Sequence, residues 1–167
     1  MIDRSGRVSA RVEYRVQRKE PSKEVGMPAI GTAEWKGDVP KGIGTFRAGS
    51  GFTGGFTSKS RFEDESVSNP EELIAAAHAA CFSMALSEML AQAGRPSHSV
   101  QTAATVTLRS VDGALTITKI ALVTIGQVPG LDELAFVDHA LAAKSSCPVS
   151  RALAGVPEIT LEASLVP

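Results

Sequence analysis

The sequence predicts an α+β domain, and three observations carry that expectation. Short runs rich in β-branched and aromatic residues, punctuated by glycine and proline, occupy the chain up to residue 62. A long alanine-rich segment follows, with a helix start at Asn69-Pro70-Glu71-Glu72 and a stop at Gly94 and Pro96. Two strand-like runs then meet at Asp112-Gly113, a strong hairpin signal. Strands, a helix, strands, helices and a last strand make an α+β order.

Residues 1–26 read as an N-terminal extension, with the domain proper over 27–167. Within the extension, Val12, Tyr14 and Val16 alternate with polar residues as in a short strand. Arg4, Arg7, Arg11, Arg15 and Arg18 offer a competing helical spacing; the β-preferring side chains favour the strand. Ile30–Trp35 and Gly42–Ala48 read as strands around the turn Lys36-Gly37-Asp38-Val39-Pro40. Gly49–Gly55 reads as a loop whose glycines match neither a dinucleotide nor a P-loop spacing. Phe56–Phe62 reads as a third strand carrying Arg61.

The helix from Pro70 should run to about Ala93, with its acids facing the positive end of the dipole. Its alanines leave room for another helix to approach closely. Ser99–Val111 and Ala114–Gln127 read as the two long strands. A helix from Asp132 to about Lys144 follows the Pro129-Gly130 turn. A shorter helix opens at Cys147-Pro148 and runs to Ala154, and Glu158–Leu165 closes the chain as a strand.

Composition bounds the function. Hydrophobic residues make up 43% of the 167 and charged residues 21%, an ordinary globular balance. A net charge of −1 and a pI near 6.3 provide no broad basic field, so nucleic acid is not an expected partner. The charged first 24 residues lack the apolar core of a signal peptide. The run Leu73–Leu86 is too short and too interrupted by His78 and Ser83 for a bilayer crossing, which needs roughly 20 apolar residues. The expectation is a cytoplasmic protein with no membrane partner. Two cysteines there form no structural disulfide framework; they are either inert or reactive.

Cys81, inside the long helix, taken alone reads as a small core residue. Cys147 stands before Pro148 at a helix start, where free N–H groups and the dipole can stabilise a thiolate. A reactive thiol also needs a cation, which Arg61 could supply, and Glu71 could hold that guanidinium in a bidentate pair. Glu71 lies ten residues before Cys81, about 15 Å along a continuous helix, and cannot touch it there. Either Arg61 spans part of the gap or Glu71 comes from an antiparallel partner subunit. Two rivals use His78: as a zinc ligand with Cys81, His139 and Cys147, or as a base beside a Cys81 nucleophile in acyl transfer. A plain interior histidine is favoured over both.

The run Arg61-Phe62-Glu63, then Asn69-Pro70-Glu71-Glu72-Leu73-Ile74, then Ala76-Ala77-His78-Ala79-Ala80-Cys81-Phe82-Ser83-Met84, with Cys147-Pro148-Val149-Ser150 later, resembles the OsmC/Ohr peroxidases. His78 and Arg61 make it more similar to the OsmC subgroup. The resemblance covers about Thr32 to Leu165. It implies an intertwined α+β homodimer, with antiparallel sheets around two long central helices and active sites at the subunit boundary. It also implies a cysteine-based peroxidase of oxidative or osmotic stress defence. Cys81 would be peroxidatic, Cys147 resolving, and Arg61 and Glu71 the charged pair at the thiol. The implied substrates are organic hydroperoxides, with hydrogen peroxide a further candidate. A lipoyl or thioredoxin-like dithiol would be the reductant, and no cofactor or metal would be needed. The alternative is a non-catalytic dimer that binds an apolar ligand and carries its cysteines incidentally.

Overall fold

The computed structural model describes residues 28–63 and 66–166, and Gly31–Pro167 forms one compact unit. The strand expected at residues 12–16 lies outside the described residues. The described residues build two three-stranded sheets and three α-helices. Strands β1 (Gly31–Lys36), β2 (Ile43–Ala48) and β3 (Thr53–Phe56) form an antiparallel meander. Helix α1 (Pro70–Gln92) leads into β4 (Ser99–Val111) and β5 (Ala114–Gln127), which pair antiparallel. Helices α2 (Glu133–Ser146) and α3 (Pro148–Ala152) return the chain to β6 (Glu158–Leu165). The α2–α3 crossover brings β6 back parallel to β5, so the second sheet is mixed where antiparallel pairing was expected.

Local chemistry explains the boundaries. Asn69 caps α1, its side chain accepting from the Glu72 N–H, and Pro70 occupies the first helical position. At the other end Gly94 turns left-handed at φ 71°, Gly94 N–H donates to Ala91 O and Arg95 N–H donates to Leu90 O. This is a Schellman stop. Asp112 and Gly113 both take positive φ, as the tight turn between β4 and β5 requires.

Two elements before α1 also differ from expectation. The glycine-rich stretch is strand, not loop, over residues 53–56, and Arg61 ends a 3-10 turn over Lys59–Arg61 instead of sitting in a strand. Rings lie across these glycines: a Cβ on Gly54 would stand 2.7 Å from the Phe46 ring, and one on Gly44 would overlap Phe56. Glycine here permits close packing across the meander.

The core lies between α1, α2 and the second sheet. His78, Phe82, Leu86 and Leu90 recur every four residues on the buried face of α1. They meet Phe136, Ala140 and Ala143 of α2, and Leu122 and Val128 at β5 and just beyond it. Ser83 donates to Thr102 Oγ1 at 2.8 Å, tying α1 to the sheet in one register. A methyl group on Gly126 would overlap the Phe136 ring. Gly126→Ala is therefore expected to cost about 2 kcal/mol or more by overpacking, read as a lower urea midpoint. An unchanged midpoint would mean that Phe136 does not rest on the strand.

By length and composition alone, α1 could cross a bilayer: it has 23 residues and a mean hydropathy of 1.5 over its most apolar window. The expectation concerned the shorter Leu73–Leu86 run, and a helix of a soluble protein's core passes the same test of length and composition. One face of α1 is used by the core. The opposite face, Ala76, Ala77, Ala80 and Met84, stays open, with Met84 73% exposed.

Candidate active site

The pair Cys81 and Cys147 is brought together by the contact of α1 with α3. Pro148 holds Cys147 out of helical geometry (φ −54°, ψ 121°), ending α2 and starting α3 at one residue. Cys147 thereby stands at the head of α3 beside Val149 and Ser150, with Cys81 of α1 as its neighbour. Both cysteines are unbridged. Cys81 is partly exposed, whereas Cys147 is wholly buried.

Their environments push the two thiols apart. Burial raises Cys81; the Val149 N–H works against this, while the neighbouring Cys147 adds to it. Burial also acts to raise Cys147. The Ser150 N–H, the Cys81 thiol, the Ser150 hydroxyl and the Val149 N–H together outweigh it and bring Cys147 below the ordinary thiol value. Within this chain Cys147 is thus the more easily ionised of the two thiols. Val149 and Ser150 supply the free N–H groups expected at this helix start, while the Ser150 hydroxyl is a contribution the residue pattern did not single out. Their signal was the Cys-Pro step, which leaves the following amides free.

His78 lies one turn before Cys81, fully buried, and its Nε2 is 2.8 Å from the Ser150 hydroxyl. Burial holds its imidazole below the usual pKa, hence neutral at pH 7. Among the described residues no three His, Cys, Asp or Glu side chains cluster as a metal site, so His78, His139 and the cysteines do not assemble as the rival zinc set.

Arg61 and Glu71 do meet: Arg61 Nε donates to Glu71 Oε2 at 3.1 Å, with the side chains 31% and 14% exposed. They line a cleft of about 330 Å³ with Asn69, Ala75 and Ala104. Neither cysteine lines that cleft, and no charge from Arg61 acts on either thiol within the chain. The four expected site residues therefore fall into two pairs, at the start and the middle of α1.

Known proteins share this arrangement of sequence and fold. The OsmC-like protein family model matches residues 63–162. Peroxiredoxin OsmC of Escherichia coli is 49% identical over 139 residues, spanning 81% of this chain and 94% of the relative. The organic hydroperoxide resistance protein of Elizabethkingia anophelis superposes with a TM-score of 0.69 at 23% identity, over 85% of this chain and 100% of that one. That of Bacillus subtilis gives 0.62 at 22%, over 82% and 98%. With the family model matched over most of the chain, and nearly half the positions identical to a relative along almost its full length, the chain belongs to the OsmC family.

Proposed function

We propose that this protein is a cysteine-based peroxidase that reduces organic hydroperoxides through Cys81 and Cys147. The observation that carries the reading is the pair of neighbouring, interacting thiols, one partly exposed and the other buried. The family relative named a peroxiredoxin supports it. Access assigns the roles: a peroxide reaches Cys81, and Cys147 waits behind it.

The Cys81 thiolate attacks one peroxide oxygen; the O–O bond breaks and the other oxygen leaves with a proton as the alcohol. Sulfur is oxidised by two electrons to a sulfenic acid. The Cys147 thiolate then attacks the Cys81 sulfur, expelling hydroxide, which is protonated to water as the disulfide forms. An external dithiol of the lipoyl or thioredoxin type restores both thiols by exchange. A reducing compartment such as the cytoplasm suits that cycle.

Homodimerisation completes the site in this reading. The open alanine face of α1 is shaped for a second helix. The β1–β3 meander leaves Ile43 and Phe52 62% and 63% exposed, as expected of a sheet that a partner covers. The Arg61–Glu71 pair, about 15 Å from Cys81 along α1, would serve the partner's Cys81. There the guanidinium would draw the negative charge from Cys147 onto the peroxidatic sulfur.

Intact mass and a free-thiol count before and after one equivalent of cumene hydroperoxide test the proposal. The expected result is loss of both thiols per chain with formation of one disulfide. Two unreacted thiols would sink it and leave the apolar-ligand reading.

A further inference from the structure

We propose that Ser150, oriented by His78, is a positioning residue for disulfide closure: its hydroxyl donates to the Cys147 sulfur and keeps that sulfur ready to attack. The inference rests on the peroxidase reading above and deepens it.

The geometry is a buried group joining two segments of sequence, α1 and the start of α3. His78 is 0% exposed, Ser150 7% and Cys147 0%. The His78–Ser150 contact is 2.8 Å, and Ser150 follows Cys147 by three residues in the first turn of α3, where its hydroxyl lowers the Cys147 thiol. The direction of the chain follows from the atom left over. His78 Nδ1 is buried with no partner. If Nε2 accepted from Ser150, a neutral imidazole would carry its proton on Nδ1, a buried N–H with nowhere to go. An orphaned donor is rarer and costlier than an unused lone pair. With the proton on Nε2, His78 donates to Ser150 Oγ, and the Ser150 hydrogen is free for Cys147. Two aligned hydrogen bonds then end on sulfur, each polarising the next. The low His78 pKa keeps the imidazole in this neutral form.

Few ionisable groups compete. Cys81 from α1 acts on Cys147; His139 and Lys144 from α2 and Arg151 from α3 do not. Lys144 is held by the Ile159 carbonyl, Arg151 is exposed, and Lys119 of β5 pairs with Glu158.

After Cys81 becomes a sulfenic acid, Cys147 must be ionised to close the disulfide, and the chain secures that. Over-oxidation of Cys81 competes with closure, so faster closure protects the enzyme.

The test compares Ser150→Ala, Ser150→Thr, His78→Leu and His78→Gln with the parent protein. Two readouts are taken against pH: disulfide closure after one equivalent of cumene hydroperoxide, and ultraviolet thiolate absorbance of the reduced protein without peroxide. Ser150→Ala is expected to close about tenfold more slowly near neutral pH, the scale of one lost hydrogen bond to a charge. It should recover toward the parent rate in alkali, with the thiolate titration moved upward. His78→Leu should move both profiles the same way. Ser150→Thr, which keeps the hydroxyl, and His78→Gln, which keeps a donor at the Nε2 position, should restore them. Profiles of Ser150→Ala that superpose on the parent's would overturn the proposal. So would closure slowed equally at every pH, the mark of damaged packing. If the parent forms no disulfide, the peroxidase reading fails, while the titration still decides whether Ser150 charges Cys147.

Discussion

Replacing Cys81 with serine is expected to abolish hydroperoxide reduction, a loss of about three orders of magnitude or more, as when an enzyme loses its nucleophile. The reason is the sulfur. A serine hydroxyl at this site is neither ionised nor readily oxidised, so the O–O bond meets no electron pair able to break it. Cys147→Ser should behave differently. The accessible sulfur is retained, so the first equivalent of peroxide is consumed and Cys81 gains one oxygen. Turnover then stalls, and further peroxide drives Cys81 toward sulfinic acid. Mass spectrometry of the two variants separates these outcomes. Undiminished turnover in Cys81→Ser would transfer the reaction elsewhere, and clean multiple turnover in Cys147→Ser would remove its resolving role. The two substitutions also differ in folding cost. Cys147 is wholly buried and Cys81 is not, so thermal unfolding should accompany the Cys147→Ser assay.

The second large effect concerns Arg61. Arg61→Ala should slow the first step by about a hundredfold, the usual loss when one preorganised stabiliser of developing charge is removed. Stability should change little, because the Arg61–Glu71 pair is partly exposed. The informative experiment mixes subunits. Cys81→Ser and Arg61→Ala homodimers are both expected to be nearly inactive. If Arg61 serves the partner's thiol, each mixed dimer regains one intact site. Random exchange should then restore about a quarter of the parent activity, since half the dimers are mixed and each has one of two sites. If Arg61 serves its own chain, mixing restores nothing. That outcome would refute the intersubunit site, and a single gel-filtration peak at monomer mass would refute the dimer.

Much of this fold was legible because its signals are local. The alternation in residues 99–111 and 114–127, with Asp112-Gly113 between them, placed both strands and their turn where they stand. The Asn-Pro-Glu-Glu start and the Gly94 stop bounded α1 to within a residue. The glycines of β3 misled for the opposite reason. Gly54 lies under Phe46, as Gly44 of β2 lies under Phe56, contacts made across a sheet. The parallel pairing of β6 with β5 was equally hidden, since a strand's alternation says which face is buried but not which neighbour it finds.

The site divides in the same way. The resemblance to the OsmC/Ohr peroxidases singled out Cys81, Cys147, Arg61 and Glu71, and the helix rise alone showed that Glu71 could not reach Cys81 along its own helix. The sequence by itself thus determined most of the elements, the candidate site residues and the need for something to bridge about 15 Å. Only the tertiary structure decided that α3 packs on α1, that Cys147 is buried while Cys81 is partly exposed, and that their surroundings push the two thiols in opposite directions. Those facts depend on α1 bringing Cys81 and His78 against Cys147 and Ser150, which lie far from them along the chain. The field at an atom is set by distance in space, to which the order of residues along a chain is a poor guide.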